Sequence, residues 1–306
     1  MTMEATRREF IHTLLTGAAG LTISWPAFGQ GRGPAPITAT KITDRIVAFS
    51  GNGGNQGLVI GPDGLLLVDG GNAPRAADFA KAIAEASPRP IQVLFNTHYH
   101  GDHVGMNEFL GKQKVRIIAH ENVKKRLGMR FENAAFGRTM EPIAEVGHPT
   151  ESFTAGGKLS FGGEALVYTH TPLSHTDGDA FVFFSSSNVI HTGDLLFAGR
   201  YPVVDYSAGG SLLGMARALE TMDRVGDANT RIISGHGPAN MSKADIRQVR
   251  ETWLTINERL EELAKQGRTV EEVIAAAPTK DIDARLNVQN PEGFLRQAYG
   301  GVLARR

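Results

Sequence analysis

Residues His98-Tyr99-His100-Gly101-Asp102-His103 place three imidazoles and one carboxylate in a single short stretch. Such side chains are poor core material, because each buried polar group needs its own partner. Four metal-ligand side chains at this spacing make sense as a metal site, and a chance histidine-rich surface loop is the bland alternative. Imidazole with carboxylate and no thiolate suits zinc, and also iron or manganese. The chain has no cysteine, which excludes a thiol nucleophile.

The segment before the cluster fits that reading. Ile91 to Phe95 is a short β-branched and aromatic run, expected to be a buried strand, and Asn96-Thr97 ends it. The ligands then fall in the loop at the strand's C-terminal end, where open α/β architectures build sites. Val104 to Leu110 is expected to begin a helix. A two-metal site needs further donors from other loops, and three stretches repeat the layout. His175 lies in a polar loop between the apolar runs Ala165–Tyr168 and Ala180–Phe184. Asp194 follows Asn188-Val189-Ile190-His191-Thr192-Gly193, and His236 follows Arg231-Ile232-Ile233-Ser234-Gly235.

The motifs HYHGDH, SHTDGD, HTGD and SGHG, with the upstream LLLVDGG (Leu65–Gly71), resemble those of the metallo-β-lactamase-fold superfamily over about Lys41 to Pro238. The resemblance implies that His98, His100 and His175 bind a first metal. Asp102, His103 and His236 would bind a second, and Asp194 would bridge the two. Asp69 looks like the superfamily's structural aspartate, or else an ordinary strand-end turn residue. His170 is a rival for His175, which is favoured because His175-Thr176-Asp177-Gly178 fits the superfamily's H-T-x-G pattern. His12, His120, His148 and His191 have ordinary roles on this reading. Diiron relatives typically carry Glu where His100 stands, so two zinc ions are the expected cofactor, with iron or manganese as alternatives. The implied chemistry is metal-assisted hydrolysis. A zinc-bound water reaches a pKa of about 7, its hydroxide attacks a carbonyl carbon, and Asp102 acts as the catalytic carboxylate that orients it.

The substrate is less legible. Zinc β-lactamases with a cysteine ligand have it where this chain has Asp194, and a carboxylate-binding Lys where it has Phe197. Another lactamase branch has Ser at the bridging position. Aspartate there looks more like glyoxalase-type thioesterases, lactonases and cyclase-like relatives. The expected function is a periplasmic dinuclear zinc hydrolase of an amide, ester, lactone or thioester bond, β-lactam opening being the most concrete candidate. The alternatives are an iron-dependent persulfide dioxygenase, a glyoxalase-type thioesterase, or a non-catalytic metal- or partner-binding protein. Met129 to Pro142 (Arg130, Phe131, Phe136, Arg138) and Phe197 to Tyr206 (Phe197, Arg200, Tyr201, Tyr206) are expected pocket walls, since aromatic rings with a guanidinium suit an apolar body bearing a carboxylate.

Thr6-Arg7-Arg8-Glu9-Phe10-Ile11 matches a twin-arginine export signal, and Ala27-Phe28-Gly29 is a cleavage candidate. Residues 1–29 are therefore expected to be a signal peptide read by the twin-arginine export machinery. The apolar stretch Leu14 to Phe28 is too short and too Gly/Thr-rich for stable membrane insertion. A Gly/Pro-rich linker (30–40), a catalytic domain (41–240) and a C-terminal helical extension (241–306) follow. The 32 basic and 32 acidic residues balance, so no basic field gathers nucleic acid. The expected partner is a small-molecule substrate.

Positioning these donors calls for an α/β framework. Ile46–Ser50, Gly57–Ile60 and Leu65–Asp69 read as strands, and Ala73–Ala86 as a helix. The superfamily's αββα sandwich follows from the resemblance, not from periodicity. The turn Ser50–Asn55 is a hairpin or a mobile flap, and no phosphate loop. In the tail, Ile246, Val249, Trp253, Ile256, Leu260 and Leu263 form one apolar helical stripe. Ser242 with Asp245, and Thr269 with Glu272, are capping boxes, and Gly267 ends the long helix. The stripe either docks on the catalytic domain or forms a seam in a homo-oligomer.

Overall fold

A computed structural model describes residues 35–306. The export segment expected at 1–29 lies outside the described residues. From Thr38 the chain is already a strand, so the Gly/Pro-rich lead-in expected at 30–40 gives way before its end. The chain runs β1 (Thr38–Lys41), β2 (Ile46–Ser50), β3 (Gln56–Ile60), β4 (Leu65–Val68), α1 (Ala76–Ala86), β5 (Ile91–Phe95), α2 (Asn107–Gly111), β6 (Arg116–His120) and α3 (Glu121–Leu127). A small hairpin, β7 (Phe131–Asn133) with β8 (Arg138–Met140), precedes β9 (Glu151–Phe153), β10 (Gly156–Phe161), β11 (Glu164–His170), β12 (Ala180–Phe184) and β13 (Val189–His191). Then come α4 (Leu212–Asp223), β14 (Arg231–Ile233), α5 (Lys243–Lys265), α6 (Val270–Ala276), α7 (Lys280–Leu286) and α8 (Glu292–Leu303).

Two larger sheets result, ordered β1-β2-β3-β4-β5-β6-β9 and β10-β11-β12-β13-β14. Strand alternation shows how they stack. Leu66, Val68, Val93 and Phe95 of the first sheet share one core with Val182, Phe184, Val189 and Ile233 of the second. The intervening residues Leu65, Leu67 and Leu94 point outward and pack under Phe79 and Ile83 of α1 and Leu110 of α2. On the far side, Phe181, Ile190 and Ile232 pack under α4 and α5. The architecture is α/β: helix, sheet, sheet, helix, the αββα order implied by the motifs.

β4, β5 and β6 run parallel, so their C-terminal ends share one edge of the sandwich. β13 and β14 are also parallel and deliver Asp194 and His236 just beyond their ends. The turn Ser50–Asn55 is the β2–β3 hairpin connection. The helix expected from Val104 starts only at Asn107, after a turn bonded back to the ligand loop.

Both capping boxes form, at Ser242/Asp245 and Thr269/Glu272. Ile246, Trp253, Ile256 and Leu260 are buried against α4 and the second sheet, while Val249 and Leu263 flank them. The stripe therefore docks within one chain. Among the described residues no helix is long and apolar enough to cross a membrane. Replacing the buried indole should leave a large void: Trp253→Ala is expected to cost about 3–5 kcal/mol. Urea unfolding should report that loss, with the mass in solution unchanged.

Candidate metal centre

The first ligand loop is held by an aspartate in an unusual backbone conformation. Asp69 follows β4 directly, with φ of 65°, a left-handed value rare for a residue with a side chain. Its amide donates to the Phe95 carbonyl at 2.8 Å. Its carboxylate accepts from the Thr97 amide (2.8 Å), the Thr97 hydroxyl (2.7 Å) and His103 Nδ1 (2.8 Å). Since the Thr97 hydroxyl donates to Asp69, its oxygen is left to accept from His98 Nδ1, 3.0 Å away. One buried carboxylate thus turns the Nε2 atoms of both His98 and His103 inward.

The seven expected ligands converge there. Donor atoms of His98, His100, His175 and Asp194 lie within 4.8 Å of one another, and those of Asp102, His103 and His236 form a second such group. Asp194 faces both. Its Oδ2 is 3.5 Å from His175 Nε2, 3.8 Å from His98 Nε2 and 3.2 Å from His236 Nε2, and its Oδ1 is 3.0 Å from His103 Nε2. Asp102 Oδ2 lies 3.3 Å from His236 Nε2. Burial opposes charge on His236, but Asp194 and Asp102 outweigh it and raise its pKa to about 9. His175 falls to about 4, through burial and then through its neighbour His100.

These donors do not satisfy one another. His98 Nε2 is buried without a hydrogen-bond partner, and His103 Nε2 and Asp194 Oδ1, although 3.0 Å apart, are not aligned for a hydrogen bond to each other or to any other group. Orphaned polar atoms of this kind are costly to bury. Divalent cations with imidazole and carboxylate ligands would satisfy them all, so the residues present fit a pair of metal ions.

Two further supports were not singled out in the sequence. Asp205, buried after Val203-Val204, accepts from His100 Nε2 (3.0 Å), Asn133 Nδ2 (2.8 Å) and the Tyr99 hydroxyl. His100 therefore offers Nδ1 to the site, 2.8 Å from His175 Nε2. Burial works against the Asp205 carboxylate, but its donors, His100 foremost, bring its pKa down to about 2. His175 in turn donates from Nδ1 to the Val203 carbonyl at 2.8 Å, which leaves its Nε2 inward. Asp179, the last residue of SHTDGD, accepts from the His175 amide (2.6 Å) and the Thr176 amide (2.7 Å) and so fixes that loop. Only Asp179 left a trace in the sequence, as the motif's second acid.

His170 stays outside the ligand set. Its ring stacks on His120 at 3.8 Å, and its Nε2 donates to the Asp177 carbonyl. His191 is buried with its pKa lowered to about 4 by desolvation, and takes the Gly193 amide on Nδ1. His148 bonds the Ile143 carbonyl, and His12 lies outside the described residues.

A cavity of about 410 Å³ opens over the donors, walled by Phe136, Arg138, Phe197, Arg200 and Val203. Other expected wall residues lie elsewhere. Arg130 pairs with Glu141 in solvent, Phe131 packs beside Tyr99, and Tyr201 is buried against Phe294. Arg130 precedes β7, and Tyr201 is covered by Phe294 of α8, a contact so distant in sequence that no local pattern reveals it.

Elemental analysis of the purified protein should find two metal equivalents. His236→Ala is expected to lower this toward one, and Asp194→Ala to disrupt both positions. Asp205→Ala should weaken the first position by about 10–100-fold in chelator competition, as loss of an outer partner typically does.

Comparison with known proteins agrees with this fold. Among solved structures, a metallo-beta-lactamase from Pontibacter korlensis superposes with a TM-score of 0.58 at 17% identity, over 71% of this chain and 99% of that one. The stereoselective inverting sec-alkylsulfatase Pisa1 from Pseudomonas sp. gives 0.65 at 15% identity, over 88% of this chain and 50% of that one. Both likenesses concern the fold. A hydroxyacylglutathione hydrolase from Synechococcus sp. (strain JA-2-3B'a(2-13)) is 28% identical over 109 residues. This chain spans only 36% of that relative's length, and the match covers 36% of the chain. The sequence pattern of the metallo-beta-lactamase superfamily matches residues 50–260. With that match covering most of its length, the chain belongs to the metallo-beta-lactamase superfamily.

Proposed function

We infer that this chain is a dinuclear zinc hydrolase that opens an amide, ester, lactone or thioester bond, β-lactam ring opening being the most concrete candidate. The observation that carries this reading is the pair of donor groups meeting at Asp194 beneath an open cavity, with buried ring nitrogens that have no other partner. Zinc ions held there would lower the pKa of water and polarise a carbonyl oxygen. The chain's own residues do the rest. Asp69, Asp205 and the Val203 carbonyl fix which nitrogen each histidine presents. The Asp102 side chain is 30% exposed at the cavity floor, its carboxylate beside His103 and His236. It is placed to accept a proton from water and pass it to the leaving nitrogen, oxygen or sulfur. Phe136 and Phe197 supply apolar walls that limit water around the scissile bond.

A thioesterase is the second reading, favoured by the partial match to a hydroxyacylglutathione hydrolase. An iron-dependent persulfide dioxygenase is disfavoured, because such enzymes use fewer ligands and the second donor group is complete here. A panel of β-lactams, lactones and thioesters, assayed with zinc-loaded protein, separates these readings. His98→Ala should lower turnover of any active substrate by about 100-fold or more. Retained activity in that variant would refute the assignment.

The working compartment proposed is the periplasm, reached by twin-arginine export. The support is the Thr6-Arg7-Arg8-Glu9-Phe10-Ile11 motif alone. Changing Arg7→Lys together with Arg8→Lys should leave the protein in the cytoplasm on cell fractionation.

A further inference from the structure

The last helix reaches the metal centre through a single amide side chain. One face of α8 seats residues 201–210. Phe294 stacks on Tyr201 with ring centroids 4.1 Å apart and planes 4° from parallel. Gly300 lies so close to Tyr206 that a Cβ there would sit 3.1 Å from its ring. Between these contacts is Gln297, only 6% exposed. Its Oε1 accepts from the Val204 amide at 3.2 Å, and its Nε2 donates to the Ala135 carbonyl at 2.9 Å. The partners fix the amide's orientation, because an N–H can only donate and a carbonyl only accept.

Those two partners belong to opposite functional parts. Val204 lies between Val203, whose carbonyl orients His175, and Asp205, which orients His100. Ala135 lies at the tip of the β7–β8 hairpin beside Phe136, with Arg138 just beyond, and both line the cavity. The same tip donates from the Ala135 amide to Ser207 Oγ at 2.8 Å, and Ser207 donates to Asn133 Oδ1 at 3.1 Å. The base of the hairpin is anchored by Asn133 on Asp205 and by Phe131 beside Tyr99, but a two-stranded ribbon is too small to hold its tip rigid by itself.

We propose that Gln297 is a positioning residue that sets the width of the substrate cavity, by tying the Phe136–Arg138 wall to the segment that supports the first ligand group. Helix α8 thereby becomes part of the substrate-selecting wall, for ligands with an apolar body larger than the donor groups they reach. The proposal rests on the hydrolase reading only for what fills the cavity.

The test uses the metal-loaded full chain carrying Gln297→Leu, with Gln297→Asn as a milder change should the first fold poorly. Two probes are titrated calorimetrically. One is 2-mercapto-3-phenylpropionate, a metal-seeking thiolate with an aromatic body, and the other is thiocyanate, which is too small to touch the walls. The bulky probe should bind about five-fold more weakly, the worth of roughly one net hydrogen bond. Thiocyanate affinity and metal content should not change. Amide exchange should speed up across residues 131–140 and stay unchanged at residues 98–103. Equal weakening of both probes, or an unchanged hairpin and unchanged bulky-probe affinity, overturns the proposal. Neither the titrations nor the exchange needs turnover, so a protein that hydrolyses nothing sinks the hydrolase reading while these readouts still decide the proposal.

Discussion

Asp194 sits in a buried pocket among imidazole nitrogens that cannot satisfy one another. Everything near the site follows from holding these groups together against their preference for water. Removing a polar atom from solvent without a partner is among the more expensive acts in folding. The chain therefore surrounds the pocket with apolar strands that leave the donors nowhere else to go. It then gives three of the histidines a second, outward hydrogen bond to a carboxylate or carbonyl. Asp69, in its left-handed conformation, is the clearest instance, because it serves a backbone amide, a hydroxyl and an imidazole at once.

The framework that enforces this is the meeting of two sheets. Each contributes donors from the loops past its strand ends. The first supplies the histidine cluster beyond β5, and the second supplies Asp194 and His236 beyond the parallel pair β13 and β14. Between the sheets lies a dry aliphatic and aromatic layer, so the relative placement of the two loop sets is fixed by close packing, which tolerates little sliding. At the seam the tolerances are small. A methyl group added at Gly54 would collide with the His103 ring, so the β2–β3 turn rests directly on that imidazole.

Much of this was legible in the sequence, and the boundary has a physical reason. The donors announce themselves because several ionisable residues beside a short apolar run are hard to explain otherwise, as in Ile91 to His103. The long amphipathic helix and both capping boxes were readable because their rules are local. Asp205 was not, since its value lies in His100, 105 positions earlier. Gln297 meets Ala135 across 162 positions and carries no local mark at all. Tyr201 read as a pocket residue, yet a helix near the end of the chain covers it. The two-sheet layering came from motif resemblance alone, because alternation within one strand does not say which sheet lies opposite.

The seat that α8 provides for residues 201–210 bears on how the protein is made. The histidine cluster is made well before α8, the helix that seats the segment carrying the partners of His100 and His175. A nascent or prematurely terminated chain therefore exposes sticky imidazoles before their geometry exists. Contacts this distant in sequence close slowly. The supports of His100 and His175 are therefore complete only once α8 has docked on residues 201–210.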